Sequence, residues 1–445
     1  MDNLIAARAQ MEVSLAFHII FAAIGIGLPL LMVVAEGLWL RTGQEHYRAL
    51  ARKWAKATAL TFAVGAVSGT ALSFELGLLW PRFMALAGGV IGPAFALEGY
   101  AFFIEAIFIG LYLYGWDRLS PRAHWLAGIP IAVSGALSAV LVLAANAWMQ
   151  TPEGFRAVAG RLVAVDALAP FKARAWPDMA LHAVLSSYIA TSFAVAGVYA
   201  LGMLRGRRDA YHRSGLGIAL AVGVVAAVLQ PISGDISARR VEATQPVKLA
   251  AAEALYHTQR GAPLLVGGIP DAAAERSRWG IELPGLLSLL ATHDFQGEVK
   301  GLDVVPPAQR PNVLVTHLAF DTMVGSAMLL AAAGVAYWVV RRRNARRRAA
   351  EPTSLLRVLV GISPLGFLAL EAGWFVTEVG RQPWTIYDVM PTADAVTPVM
   401  QVPFTFLGFS VLYLMLGVAL VVLLRRLATG APTAGAEREE VPVVA

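Results

Sequence analysis

GWFVTEVGRQPW, residues 373–384, is the stretch from which the rest of the chain is read. It closes an apolar helix where that helix reaches a membrane surface. Glu378 and Arg381 stand three residues apart, and Pro383 is expected to stop the helix. A bare carboxylate at the end of a spanning helix is costly unless it has a partner. The plainer reading is an interfacial anchor, because Arg and Trp gather at membrane surfaces without any catalytic reason. Gly373 and Gly380 leave room for something bulky, and Glu371 adds a second acid to the same helix end.

Composition agrees with a membrane setting. The chain has 445 residues, of which 57% are apolar and 15% charged. Its mean hydropathy is +0.62. A soluble chain carries about 25% charged residues. A spanning helix needs about 20 apolar residues, and nine stretches qualify: near 11–40, 55–80, 93–116, 124–148, 177–204, 214–232, 313–340, 355–378 and 403–427. The fold class is therefore an all-α polytopic membrane protein. The first apolar run, Val13–Leu40, is too long for the core of a signal peptide and has no basic segment before it, so it is expected to be the first span. With no cysteine, the chain has no disulfide, no thiolate metal site and no iron–sulfur cluster.

The net charge of +6 reflects loop composition rather than nucleic-acid binding. Basic residues concentrate in alternate links: Arg41–Lys56, Arg118 with Arg122, Arg205–Arg213, RRRNARRR at Arg341–Arg348, and the tail opening at Arg425. The positive-inside rule then predicts an outer (periplasmic) N-terminus and a cytoplasmic C-terminus. Residues 1–232 hold helices 1–6 and 313–428 hold helices 7–9. The segment 233–312 is one long outer loop, and 429–445 is expected to be a disordered cytoplasmic tail. No tandem repeat, P-loop or dinucleotide fingerprint is present.

Polar residues inside spans are candidates for function. His18, His182, His317, Asp321 and Met323 lie in apolar helices, where the plain alternatives are a histidine bonded to a backbone carbonyl and a packing methionine. Glu98 and Glu105 are seven residues, two turns, apart and face the same way, about 10 Å from each other. They suggest a proton relay, against the alternative of structural hydrogen bonds. Asn146 and Gln150 read as interfacial anchors. With the predicted orientation, His18, His182, Met323, Glu98, Glu105 and Glu378 all fall toward the outer face, as a shared cofactor layer would require. Two histidines, a methionine and a carboxylate without cysteine suit haem iron. The histidines are too few for a copper-type oxidase and lack the paired spacing of dihaem cytochromes b.

Six segments, in order, resemble subunit I of the cytochrome bd-type quinol oxidases: RAQMEVSLAFH (8–18), LEGYAFFIEAIFIGLYLYGWDRL (97–119), SAVLVLAANAWMQTP (138–152), QPVKLAAAEA (245–254), FDTMVG (320–325) and GWFVTEVGRQPW. The resemblance implies that His182 and Met323 ligate the low-spin haem b558. His18 and Glu378 would each serve one of two high-spin haems, b595 and d. Glu98 and Glu105 would carry protons to that pair. Lys248 and Glu253 would bind or deprotonate quinol, and Arg381 would neutralise haem propionates or Glu378. Asp321 and Thr322 stand where some members carry a basic residue, and the outer loop is short. Both features point to the cyanide-insensitive branch, in which a third haem b takes the place of haem d.

The implied activity is that of a terminal oxidase in a bacterial inner membrane. Ubiquinol or menaquinol is oxidised at the outer face and O2 is reduced to water, giving a proton motive force without a pump. The implied partners are oxidase subunit II and a small single-span subunit. Two rivals stand beside this reading. A secondary transporter would couple through Glu98, Glu105 and Asp321 but calls for inverted repeats. A non-catalytic haem-binding subunit would need His182 and Met323 but not Glu378, Lys248 or Glu253.

Overall fold

Backbone surrounded by hydrocarbon must satisfy its own hydrogen bonds, and a helix does so within one segment. The structure, a computed structural model that describes residues 2–158, 161–346 and 352–429, follows that rule. Among the described residues, nine helical stretches are long and apolar enough to cross a bilayer. In order they are α1 (Asn3–Thr42), α2 (Glu45–Leu79), α3 (Pro81–Gly115) and α4 (Pro121–Gln150), then a hairpin of β1 (Arg156–Val158) and β2 (Arg161–Val163), then α5 (Trp176–Leu204) and α6 (Ala210–Thr244). An interhelical unit follows. It holds α7 (Pro246–Ala252), β3 (Gln259–Arg260), β4 (Leu264–Val266), β5 (Ile269–Asp271), β6 (Arg276–Arg278), β7 (Ile281–Leu283), α8 (Leu286–Thr292) and β8 (Glu298–Val299). After it come α9 (Val313–Arg346), α10 (Thr353–Ile362), α11 (Leu365–Val379), β9 (Trp384–Ile386), β10 (Met390–Pro391), α12 (Thr392–Ala395) and α13 (Val402–Thr429).

Helices α1 and α2, α3 and α4, α5 and α6, and α9 and α11 pack as the most extensive pairs. Helix α1 is central and also meets α4, α5 and α13. Thr191 of α5 donates from Oγ1 to the Ala23 carbonyl of α1 at 2.8 Å, and Gly27 gives it room. One apolar core, including Met32, Trp54, Phe193 and Tyr337, fills one end of the bundle. A second, including Trp80, Phe83 and Trp148, fills the other end. The interhelical unit has its own small core around Leu249, Tyr256, Leu287 and Leu302. Its strands pair antiparallel as β3–β8, β4–β7 and β5–β6. Helix α13 buries only 11% of its apolar window and exposes Phe404, Leu407 and Leu414, a face suited to lipid or another chain.

The helices are longer than hydropathy predicts. Helix α2 begins at Glu45, so Arg48, Arg52, Lys53 and Lys56 lie in its first turns rather than in a link. Helix α3 begins at Pro81 and passes through Pro93, and α6 runs on to Thr244 and includes the start of the expected outer loop. Apolarity marks only the buried part of a helix, whereas Ala, Arg and Glu, as in SARRVEA, keep the backbone helical beyond it. The eighth span is broken at Ser363–Pro364 between α10 and α11. Helix α11 ends at Val379, four residues before Pro383, and the chain then turns into the β9–β10 hairpin. Residues 430–445, and Arg347 and Arg348 of the basic run, lie outside the described residues.

Gly366 seats α11 on α5: a Cβ there would lie 2.7 Å from the Ala190 Cα. Backbone cannot yield as a flexible side chain can. Gly366→Val should therefore destabilise the protein by about 1–3 kcal/mol, read as a lower midpoint of thermal unfolding in detergent. An unchanged midpoint would show that the two helices do not meet there.

Candidate functional site

The end of α11 meets the ends of α4 and α7 through one polar chain. Glu378 accepts from Arg381 Nη2 on Oε2 at 2.5 Å and from Asn146 Nδ2 on Oε1 at 2.7 Å. Gln150 Nε2 donates to Asn146 Oδ1 at 3.2 Å, and Lys248 Nζ donates to Gln150 Oε1 at 2.5 Å. Gln245 donates to both the backbone and the side-chain oxygen of Gln150. Gly380 permits this approach, because a Cβ there would stand 3.0 Å from Lys248 Cγ. Arg381 is 3% exposed, and its Nε and Nη1 have no protein hydrogen-bond partner among the described residues. Asn146 and Gln150, read as anchors, are thus the bridge between Glu378 and Lys248.

Glu12 and Glu371 join Glu378 around a narrow pocket between α1 and α11, with Ile19 and Trp374. Glu12 was not among the predicted residues. Its signal was available in RAQMEVSLAFH, where an acid stands six residues before His18. His18 faces another neighbour, α2: its Nδ1 lies 3.0 Å from Ser68 Oγ, and a Cβ on Gly69 would lie 2.9 Å from its Cε1.

His182 on α5 faces α6. Its Nε2 lies 3.0 Å from Gln230 Nε2, its Nδ1 is buried without a protein partner among the described residues, and Gly234 adjoins the ring. Met323 on α9 faces α11, where a Cβ on Gly373 would lie 3.1 Å from the sulfur. Consecutive spans alternate in direction, so α5 and α11 run antiparallel. Counting from the contact of Gly366 with Ala190, Gly373 lies level with His182. By that count Met323 and His182 lie within about one residue of the same level.

Glu98 and Glu105 lie on α3. Glu98 accepts from Ser138 Oγ at 3.1 Å. Glu105 is 5% exposed and lies between Gly25 of α1 and Gly135 of α4, with Oε1 unpartnered among the described residues. Gly135 is eleven residues from Asn146 on α4, about 16 Å along the axis. Helices α1 and α3 run the same way, so Glu98, seven residues before Glu105, lies level with His18, seven residues before Gly25, and Glu105 lies about 10 Å farther along. Seven residues beyond Glu105, Tyr112 continues the same face. Tyr112 donates from its hydroxyl to Glu36 Oε2 at 2.5 Å, and His124 Nδ1 lies 2.6 Å from Glu36 Oε1. This fully buried trio went unpredicted, although the seven-residue spacing of Glu98, Glu105 and Tyr112 was readable.

Lys248 and Glu253 lie outside the spans and are both buried, at 6% and 5% exposure. Burial, aided by the Arg381 charge and opposed by Glu378, pulls the Lys248 ammonium down to about 7. Burial, and then the Asp321 carboxylate, pushes Glu253 up to about 8. An amine and a carboxyl poised near neutrality at the edge of the bundle are equipped to exchange protons with a ligand.

Residues 6–432 match the family described as cytochrome bd terminal oxidase subunit I. A Bacillus subtilis (strain 168) protein provisionally named cytochrome bd menaquinol oxidase subunit I is 39% identical, the alignment covering 95% of this chain and 96% of that one. The cytochrome bd ubiquinol oxidase subunit 1 of the same organism is 33% identical over 96% of this chain and 93% of its own. The bd oxidase structure from Geobacillus thermodenitrificans superposes with a TM-score of 0.90 at 36% identity, covering 96% of this chain and 98% of that one. With nine apolar helices and these matches, the chain belongs to the cytochrome bd terminal oxidase subunit I family, multi-pass proteins of the bacterial inner membrane that serve respiratory electron transport as quinol:oxygen oxidoreductases.

Proposed function

We propose that this chain carries the haems of its oxidase on the side chains described above. His182 and Met323 would hold the low-spin haem b558. His18 and Glu378 would each hold one of two high-spin haems, b595 and either d or a third b. The observation that carries this reading is a repeated cradle: His18, His182 and Met323 each lie against a glycine of a neighbouring helix, Gly69, Gly234 and Gly373. Bare-metal chemistry fits less well, since among the described residues no three His, Cys, Asp or Glu side chains gather around one point. One or two side chains per iron suffice when a macrocycle supplies the other ligands. The unpartnered N–H groups of Arg381 suit a propionate. When bound, the haems supply one-electron transfer and oxygen reduction.

The chain's own residues supply positions and protons. Lys248 and Glu253, in the loop 233–312 on the proposed outer face, would bind quinol, with the ammonium donating to one oxygen and the carboxylate accepting a proton. Glu105 and Glu98 would carry protons in from the opposite end, where Tyr112, His124 and Glu36 continue the line. Protons taken from the inner side and released outside store energy without a pump. Moving one charge across about 100 mV stores about 2.3 kcal/mol. Subunit II and a small single-span subunit are the proposed partners, and ubiquinol or menaquinol the donor. The transporter reading loses ground because its acids sit on two unconnected interfaces, Glu98 and Glu105 beside α4 and Asp321 beside the interhelical unit.

Lys248→Ala should raise the quinol KM about tenfold, the loss of one charged hydrogen bond. A wild-type KM would remove Lys248 from the site. Glu253 gains its charge as pH rises toward about 8, and Lys248 loses its charge as pH rises through about 7. The pH profile of kcat/KM for quinol should thus peak between those values, and Glu253→Gln should abolish the rising limb. A flat profile in the wild type would refute both assignments. Glu105→Gln should slow oxygen uptake about 100-fold at constant haem absorbance; full turnover in that variant would exclude it from the relay.

A further inference from the structure

His317 is fully buried near the start of α9 and has no part in the reading above. Its Nδ1 lies 2.7 Å from the Ala252 carbonyl oxygen. Its Nε2 lies 3.2 Å from the Gly267 carbonyl oxygen and 3.4 Å from Asp321 Oδ2. Two of these neighbours are carbonyl oxygens, which can only accept. A neutral imidazole carries one N–H and one lone pair. Either tautomer would press that lone pair against a carbonyl oxygen in a site closed to water. Only a ring with N–H on both nitrogens donates to both carbonyls, and Asp321 Oδ2 stands 3.4 Å from Nε2.

The two carbonyls belong to the loop that carries the quinol-side residues. Ala252 immediately precedes Glu253. Gly267 opens the turn between β4 and β5, with φ +68, followed by Gly268 at φ +104. Glycine enters this region readily and other residues do so only under strain. One cation on a membrane helix thus grips the loop at two points well separated in sequence.

We infer that His317, as an imidazolium, is a positioning residue for quinol oxidation: it fastens the Ala252 and Gly267 carbonyls to α9 and so fixes Glu253 at the quinol edge. The inference rests on the quinol-site reading of Lys248 and Glu253.

The test uses the purified complex with its haems. His317→Leu should raise the quinol KM about tenfold, with kcat falling far less than kcat/KM and the haem absorbance kept. Amide hydrogen exchange across residues 250–268 should speed up in the same variant. Gly267→Val strains the other end of the clamp from outside the bundle and should reproduce both effects, so it decides the matter if His317→Leu does not assemble. Unchanged KM in both variants overturns the inference, and so does faster exchange without a KM change, which would leave His317 a purely structural tie. If Lys248→Ala and Glu253→Gln both leave the quinol KM unchanged, the quinol-site reading fails and this inference with it, whereas an unchanged KM in the His317 and Gly267 variants alone overturns only the inference.

Discussion

A carboxylate placed among apolar helices must be neutralised and hydrogen-bonded, and Glu378 is satisfied on both oxygens. Arg381 offsets its charge from the next turn and Asn146 fixes its orientation from α4. The surroundings follow from that requirement. Helix α11 ends at Val379, so the chain can fold back and present the Arg381 guanidinium. The β9–β10 hairpin then closes over α4, where the Tyr387 N–H donates to the Met149 carbonyl at 3.0 Å. Gln150 extends the chain to Lys248, which ties the interhelical unit to the same point. Removing either charge would leave its partner buried and unpaired, a loss of about 3–5 kcal/mol.

The same bundle separates two kinds of polar group. Asn146, Gln150, Arg381 and Lys248 gather with Glu378 at helix ends next to the interhelical unit. Those on α3 form a ladder along the inner face, Glu98, Glu105 and Tyr112, two turns apart and directed toward α1 and α4. A cluster of this kind ties several helix ends together at one point. A ladder suits a proton, which moves by short hops along hydrogen-bonding groups. The helical repeat of 3.6 residues produces such a ladder from any seven-residue spacing without a special fold.

Much of this was legible in the sequence. Nine apolar runs fixed the fold class because hydrocarbon allows few alternatives, and the GRQPW string marked the helix end correctly to within four residues. Helix lengths were less legible, since a charged segment such as SARRVEA is hydrophilic and helical at once. Glu12, Glu36, Tyr112 and His124 escaped notice because each is unremarkable alone; what matters is which helices face one another, and a single sequence does not state pairings. Asn146 and Gln150 looked like anchors for the same reason, their partners lying about 100 and more than 230 residues away. His317 was noticed, but its meaning depended on two backbone carbonyls, which no side-chain pattern reveals.

The joint between α6 and α7 is a single residue, Gln245, buried and bonded to Gln150. No slack separates the membrane helix from the segment that carries Lys248. A helix whose apolar length does not match its bilayer tilts to compensate, and a stiff joint passes that tilt on. Acyl-chain length and thickening of the surrounding lipid would therefore be felt where Lys248 stands, although that residue lies outside the spans.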